Sequence, residues 1–284
     1  RSTPLYSSAA SDVYKRQVLL VNGFPYMPKV IEHNGEPLEL LHSLGFNTIA
    51  LKQFPTTQQL ETARRIGLKL IAPPNLSTEL TASTNLSPIL CWNLGDHIQS
   101  ADLTSIKDQT NYLNQQPSQY QRPTIGTIQS GFQDISRYTE ICQLTWQPFF
   151  SGLSIEYSTQ QLLQAIGELR RGRNVWVKVP SQIPEVVLHQ QHALVSSQTE
   201  RLTSKRLSTI ISYDQLSMAV NRALATGARG IQIQSLSRLD QTDEDTLQRR
   251  RILERINNEL DTIGPWISGG TTTGKVKVNR SDIT

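Results

Sequence analysis

The chain has 284 residues, of which 37% are hydrophobic and 18% are charged, and its formal net charge is +4. These values are typical of a globular protein with a substantial core, and a barrel of this length can form a single domain. No run approaches the ~18 consecutive apolar residues of a membrane span. Basic residues are scattered apart from Arg249 to Arg251, so we expect no nucleic-acid partner.

Residues 1–17 differ in character from the rest of the chain. The run from Ser11 to Gln17, SDVYKRQ, resembles the translation of a sequencing adapter, a frequent scar on metagenomic, largely bacterial reading frames. We therefore treat 1–17 as non-native and exclude it from fold reasoning. The segment contributes +2 of the net charge of +4. It also hides the natural start, so the sequence leaves the cellular location open, an extracytoplasmic one included.

The native part opens with a predicted hairpin, followed by alternating strand and helix patterns. Val18 to Tyr26, VLLVNGFPY, has two short apolar runs around Asn22-Gly23, a strong signal for a tight turn. Eight apolar strands are then predicted, at Met27–Ile31, Phe46–Leu51, Leu68–Ala72, Pro88–Asp96, Pro123–Gln129, Glu140–Trp146, Asn174–Val179 and Ala228–Gln234. Helical patterns follow them, at Glu36–Leu44, Thr57–Ile66, Leu76–Leu86 (weak), Asp102–Gln116, Asp134–Thr139, Thr159–Arg170, Tyr213–Thr226 and Thr246–Ile263.

Eight such units predict a (β/α)₈ barrel, the TIM-barrel fold of the α/β class, over residues 18–270. The competing doubly wound sheet would need a glycine-rich turn after the first strand. Glu32 to Glu36, EHNGE, has a single glycine there. Residues 271–284 are threonine-rich and then alternate in polarity, so we expect a linker into a β domain and flanking domains of the same longer chain.

Catalytic residues of barrels lie at the carboxyl ends of the strands, and there the sequence offers carboxylates. Hydrolysis of a glycosidic bond needs two of them about 5 to 10 Å apart. Asp96 is the best candidate acid/base, with Glu32 or Glu156 as its partner. Structural roles remain open for each. Asp96 could cap the turn after Gly95, Glu32 could form an ion pair with Lys52, and Glu156 could be an exposed acid near the start of a helix, where the helix dipole favours a negative charge.

Neutral polar side chains at the strand ends suit the hydroxyl groups of sugars. The predicted ligand-binding residues are His33, Asn34, His97, Gln129, Gln147, Gln182, Gln234 and Arg238. Three tryptophans, Trp92, Trp146 and Trp176, could stack on a sugar or pack in the core. Two histidines and two carboxylates at one rim could also ligate zinc or manganese, but no short ligand spacing supports that, and we expect neither metal nor cofactor. Cys91 and Cys142 are expected to be buried small hydrophobes.

Three segments resemble the barrel domain of clan A glycoside hydrolases, the superfamily of beta-galactosidase-like enzymes. They are VNGFPYMPKVIEHNGEPLELLHSLGFNTIAL from Val21 to Leu51, LCWNLGD from Leu90 to Asp96, and LATGARGIQIQSLSRL from Leu224 to Leu239. The resemblance implies the barrel fold and a carbohydrate ligand.

The sequence also departs from the pattern of that clan. The fourth strand should end on an Asn-Glu pair whose Glu is the acid/base, and here it ends on Gly95-Asp96-His97. The seventh strand should end on a nucleophilic Glu, and Val175 to Ile183, VWVKVPSQI, contains none. Two hypotheses follow: a glycosidase that uses Asp96 with Glu32 or Glu156, or a catalytically silent barrel that binds carbohydrate or serves as a scaffold.

Overall fold

The computed structural model describes residues 18–75, 85–128, 139–149, 154–169, 174–189 and 209–269. It begins with the predicted hairpin, in which β1 (Leu20–Val21) runs antiparallel to β2 (Phe24–Pro25). Asn22 and Gly23 have φ values of 54° and 78°, as a type I′ turn requires at both central positions. The hairpin is therefore confirmed. Tyr26 fixes it to the barrel, because its hydroxyl hydrogen-bonds to Asn47 O at 2.9 Å.

Eight parallel strands close into a barrel, which confirms the predicted fold class. They are β3 (Lys29–Glu32), β4 (Thr48–Ala50), β5 (Lys69–Ala72), β6 (Ile89–Asn93), β7 (Thr124–Ile128), β8 (Ile141–Thr145), β9 (Asn174–Pro180) and β10 (Gly230–Gln234). Each strand pairs with the next along the chain, and β10 pairs with β3 to complete the ring.

The described helices include α1 (Leu38–Ser43), α2 (Thr57–Ile66), α3 (Leu103–Gln115), α4 (Ile155–Leu169), α5 (Tyr213–Ala225) and α6 (Glu244–Gly269). Both ends of α2 lie where the sequence predicts them. At the start, the Thr56 side chain accepts from the Gln59 N–H and the Gln59 side chain accepts from the Thr56 N–H; at the end, Gly67 has φ 77°. Helix α4 starts four residues before its predicted start at Thr159, and α6 continues through Pro265, beyond its predicted end at Ile263.

The predicted helices at Leu76–Leu86 and Asp134–Thr139 lie almost wholly outside the described residues. None of the described helices has the length and apolarity needed to cross a bilayer.

The amino-terminal half of the barrel interior is apolar. Val30, Ile71, Cys91, Ile125 and Trp176 are buried in one cluster there, together with Leu19 and Val21 of the hairpin segment. Trp176 lies directly over Gly230, where an added Cβ would come within 2.9 Å of the indole ring. The hairpin segment is thus packed against apolar side chains of the barrel interior.

Core packing, rather than sugar stacking, explains the three tryptophans of the strands. Trp92, Trp146 and Trp176 are all buried, and each indole N–H has a hydrogen-bond acceptor inside the protein. The two cysteines are buried and free, and burial raises the pKa of the Cys91 thiol. A thiol whose ionised form is disfavoured in this way is a poor nucleophile, in agreement with its role as a small apolar side chain.

Candidate functional site

A cleft of about 620 Å³ opens at the carboxyl ends of the barrel strands. Five of its lining side chains and one buried partner bond to one another and form what we call the polar floor: Glu32, Asp96, Gln143, Lys178 and Gln232, with Thr127 bonded to Asp96 and Gln143. They come from β3, β7, β8, β9 and β10 and from the loop after β6, so five barrel strands and one loop contribute to one site. Loop residues around the rim, among them Asn34, Lys52 and Ser235, form the walls of the cleft.

Lys178 lies between the two best candidate carboxylates. Its side chain is only 4% exposed, and its Nζ is 2.9 Å from Glu32 Oε1 and 3.5 Å from Asp96 Oδ1. Those two oxygens are therefore no more than about 6.4 Å apart, the two distances laid end to end. The Asp96 side chain is 53% exposed and the Glu32 side chain 16%. Asp96 is thus the carboxylate that a ligand reaches first.

Three neutral side chains continue the polar floor across the barrel. The Gln143 amide donates to Gln232 Oε1 at 2.8 Å, and the Gln232 amide donates to Glu32 Oε1 at 3.3 Å. The Thr127 hydroxyl lies 2.7 Å from Gln143 Oε1 and 3.0 Å from Asp96 Oδ1. All three are buried, and Gln143 and Gln232 also line the cleft, so they hold the carboxylates in place from within the barrel.

Neither a turn-capping role for Asp96 nor an ion pair between Glu32 and Lys52 is present in the structure. The turn after β6 is held by Asn93, whose Oδ1 accepts from the Gly95 N–H at 3.1 Å, and not by Asp96. Glu32 pairs with Lys178 and not with Lys52, which donates instead to Asn34 Oδ1 at 2.8 Å. Both carboxylates therefore face the barrel mouth.

Among the predicted ligand-binding residues, Asn34, His97 and Gln234 line the cleft. Asn34 is held in place by a bond from its Nδ2 to Ser235 O at 2.8 Å. His97 is exposed and has φ 58°, a left-handed conformation that ends the turn after β6. His33 bonds to Glu36 O at 2.9 Å and is not a lining residue.

The remaining predicted residues lie apart from the cleft. Gln182 is buried and joins two loops, since it bonds to Ser237 Oγ at 3.0 Å and accepts from the Leu236 N–H at 2.9 Å. Arg238 forms a two-bond ion pair with Asp240, which raises the pKa of the guanidinium. Gln147 is exposed outside the cleft, and Gln129 lies outside the described residues.

Glu156 lies in the first turn of α4 and is not brought to the mouth. Its Oε1 is 3.6 Å from Arg222 Nη2 on α5, and its side chain is 69% exposed. It therefore belongs to the outer helix layer. Its position is explained by the observed start of α4 at Ile155, which puts an acidic residue where the helix dipole favours one.

Within the described part of the chain, no group of three or more histidine, cysteine, aspartate or glutamate side chains is arranged to hold a metal ion. The polar floor presents one ammonium, two carboxylates, two amides and a hydroxyl, all of which bond well to hydroxyl groups.

No protein-family model matches the sequence, and a search of curated proteins finds no match. Solved structures do share the fold. A beta-glucuronidase from Ruminococcus gnavus aligns with a TM-score of 0.56 at 11% identity, over 87% of this chain and 52% of that one. Beta-glucuronidase 2 from Bacteroides uniformis aligns with a TM-score of 0.54 at 13% identity, over 76% and 31%.

A beta-1,3-glucanosyltransferase from Rhizomucor miehei, in complex with laminaritriose, aligns with a TM-score of 0.50 at 9% identity, over 73% of this chain and 86% of that one. At these identities the likeness concerns the fold: this chain has the barrel architecture found in glycoside hydrolases. The chain spans about half of the Ruminococcus glucuronidase and less than a third of the Bacteroides enzyme.

Proposed function

We propose that the barrel mouth binds carbohydrate, and that the polar floor provides the hydrogen-bonding groups for its hydroxyls. The support is the composition of the cleft, in which polar side chains from five strands and one loop converge beneath an open volume of about 620 Å³. Sugar hydroxyls are both donors and acceptors, so they need both kinds of partner. Carboxylate oxygens accept, whereas the Lys178 ammonium and the glutamine amides donate.

The single observation that carries binding over hydrolysis is the position of Lys178. Its ammonium occupies the space between the carboxylates, at 2.9 Å from Glu32 and 3.5 Å from Asp96. In a glycosidase that space holds the scissile bond. A substrate cannot enter it until Lys178, which is buried, moves away. The floor as it stands is built to hold a ligand above it rather than to cleave one.

Hydrolysis is the second candidate, because one specific observation favours it. The two carboxylate oxygens lie within about 6.4 Å of each other, near the separation of about 5 to 5.5 Å at which glycosidases retain configuration. In that reaction the more exposed Asp96 would be the acid/base and Glu32 the nucleophile. Glu156, in the outer helix layer, would have no part in it.

Binding is tested with immobilised neutral oligosaccharides, laminaritriose among them, and with isothermal titration of any that bind. Gln234, which lines the cleft, is changed to alanine, and Gln147, an exposed glutamine outside the cleft, is the matched control. We expect the Gln234→Ala variant to bind at least fivefold more weakly and the Gln147→Ala variant to bind as the unmodified protein does. Equal affinities in all three proteins would place the sugar elsewhere and overturn the proposal.

The two candidates are separated by a panel of aryl glycosides. The unmodified protein and its Asp96→Asn variant are compared for release of the aryl group. Background turnover by both proteins agrees with a binding barrel. Turnover that the Asp96→Asn variant loses would establish the hydrolase instead and show that Lys178 moves during the reaction.

A further inference from the structure

A second cavity, of about 850 Å³, lies beside the cleft at the same end of the barrel. We call it the side groove, and its lining residues include Ile183, Leu188, Ile210, Gln241 and Arg249. They come from the segment after β9, the segment before α5, the loop after β10 and the first turns of α6. In a barrel of this kind the helices start at the carboxyl ends of the strands, so all of these segments lie on the face that carries the cleft.

The loop after β10 separates the side groove from the cleft. Leu236 lines both cavities, whereas Ser235 lines the cleft and Ser237 lines the side groove. The Leu236 side chain is 50% exposed, so it is available for contact from either side. A ligand that extends from the cleft over Leu236 therefore enters the side groove directly.

Hydrogen bonds hold this separating loop in place. The Leu236 N–H donates to Gln182 Oε1 at 2.9 Å. The Arg249 guanidinium, which is buried, donates to Ser237 Oγ and to Ser237 O, each at 2.8 Å. A loop that is fixed in this way loses little conformational freedom when a ligand binds across it, which favours affinity.

The side groove combines apolar and neutral polar surface. Its apolar lining includes the half-buried side chains of Ile183, Leu188 and Ile210. The exposed amide of Gln241 and the hydroxyl of Thr209 lie in the same lining. A sugar ring has C–H groups on its faces and hydroxyl groups around its edge, so it gains from both kinds of surface.

The charge of the side groove selects against anionic ligands. Loops after the seventh and eighth strands of such barrels frequently bind phosphate. Here four carboxylates line the cavity, those of Glu185, Asp243, Glu244 and Asp245. Arg249 is the one arginine or lysine among the described residues that line it, and His189, 3.7 Å from Glu185, adds a positive charge only when it is protonated. The resulting negative potential repels phosphate and acidic sugars.

We infer that the side groove is a second carbohydrate subsite, and that the ligand of this barrel is a linear, neutral oligosaccharide. Its first units lie on the polar floor, and the chain continues over Leu236 so that its further units lie in the side groove. The inference rests on the proposed function, because it needs a sugar in the cleft. It adds the length and the charge of the ligand.

Isothermal titration with cello- and laminari-oligosaccharides, from the disaccharide to the hexasaccharide, tests this inference. Leu188→Ser removes apolar surface from the side groove, and Gln241→Ala removes an exposed amide. Neither residue lines the cleft. Val186→Ser is the matched control for Leu188→Ser, because Val186 is an exposed apolar residue of the same segment that lines neither cavity.

In the unmodified protein we expect affinity to rise at least tenfold from the trisaccharide to the hexasaccharide. Leu188→Ser and Gln241→Ala should each bind the hexasaccharide at least threefold more weakly and the trisaccharide within twofold of the unmodified protein. Val186→Ser should match the unmodified protein for both ligands. Galacturonate oligosaccharides of the same lengths should show no such rise, because the acidic units are repelled from the side groove.

Equal affinities for the trisaccharide and the hexasaccharide would overturn the inference, and so would a rise that both groove variants retain in full. Either result would leave the carbohydrate proposal standing, since the trisaccharide would still bind in the cleft. An equal rise for the galacturonate series would overturn the assignment of a neutral ligand. Failure of the proposed function is distinguished by the loss of trisaccharide binding itself.

Discussion

The Lys178 ammonium lies 2.9 Å from Glu32 Oε1. The two residues lie on β9 and β3, the strands that pair with either side of β10 where the barrel closes. The lysine comes from β9, the seventh barrel strand, on which the resemblance to clan A glycoside hydrolases implied a nucleophilic carboxylate. A cation on this strand and an anion on the first replace that arrangement. The polar floor is consequently organised around an ion pair.

Replacing Lys178 with methionine should remove the charge that compensates Glu32 in a largely buried site. We expect the free energy of unfolding to fall by about 3 kcal/mol, since loss of one partner leaves the other charge buried and unpaired. Adding Glu32→Gln should restore part of it. Urea unfolding of the two single variants and the double variant measures the coupling.

Lys52→Met is the matched control for that experiment. Lys52 is an exposed lysine at the same rim, and its change should stay within about 0.5 kcal/mol. A strictly additive double variant, or equal losses at Lys178 and Lys52, would contradict the assignment of the ion pair.

Because Trp176 packs closely on Gly230, any side chain at position 230 should destabilise the barrel. A Cβ added there would lie 2.9 Å from the indole ring. Gly230→Ala should therefore lower the free energy of unfolding by about 2 kcal/mol through overpacking of the lower barrel.

The contrasting variant is Gly167→Ala in α4, where an added Cβ meets nothing within 4 Å. Because glycine is a poor helix former, this change should raise stability by up to about 1 kcal/mol. Thermal unfolding of both variants gives the comparison. If Gly230→Ala were as stable as Gly167→Ala, the packing described for Trp176 would be wrong.

The start of α6 should show a pH-dependent contribution to stability from Asp243. Its carboxylate accepts from the Thr246 N–H at 2.9 Å and from the Thr246 hydroxyl at 2.8 Å, and the backbone bond foremost lowers its pKa below the ordinary 3.8. The unfolded chain therefore takes up the proton first. The stabilisation is present above pH 3.8 and is lost as the pH falls through the lower folded value.

Asp243→Ala should accordingly lower the melting temperature at pH 7, with a smaller difference from the unmodified protein at pH 3. Asp245→Ala, in the same helix turn, should show a smaller effect at both values. A difference that grew as the pH fell would contradict the capping role of Asp243.

Glu156 should be dispensable for ligand binding, because it pairs with Arg222 in the outer helix layer. An exposed pair of this kind contributes under about 1 kcal/mol, so Glu156→Gln should fold normally. We expect its affinity for any bound oligosaccharide to match that of the unmodified protein within twofold by isothermal titration. A tenfold loss of affinity in Glu156→Gln would show that Glu156 takes part in binding.

Much of the fold was readable from local patterns in the sequence. Asn22-Gly23 indicated the hairpin, Thr56 and Gly67 indicated the two ends of α2, and eight apolar runs indicated the strands of the barrel. Turns, helix caps and buried strands are each specified by residues that are neighbours in the sequence. The extension of α6 past Ile263 was missed, since Pro265 normally ends a helix. In the structure the Ser268 hydroxyl returns to Gly264 O at 2.8 Å, so this last turn has a side-chain bond of its own.

The site was only partly readable, because it depends on which strand residues face inward. Asp96 and Glu32 were found at strand ends, whereas Thr127, Gln143 and Gln232 lie inside strands that read as apolar. One signal was available: in ICQLT and GIQIQ, polar residues sit two positions apart within otherwise apolar runs. Side chains two apart share a face of a strand, so this pattern favours a polar layer inside the barrel.

Lys178 and Glu156 show why spacing alone could not complete the site. Nothing in the local pattern favoured an ammonium over the neighbouring polar residues, since a buried lysine is accepted only when carboxylates from other strands surround it. The outward position of Glu156 followed from α4 beginning at Ile155, four residues before the start that the sequence predicted.

The central claim is that carbohydrate binds on the polar floor, and mapping of backbone amide NMR shifts during titration with a neutral oligosaccharide tests it most directly. The account predicts that the perturbed amides gather around Asn34, Lys52, Gly95-Asp96 and Ser235 at the rim of the cleft. Perturbations confined to the helix layer around Glu156 or to the hairpin, or no perturbation by any oligosaccharide in the millimolar range, would contradict it.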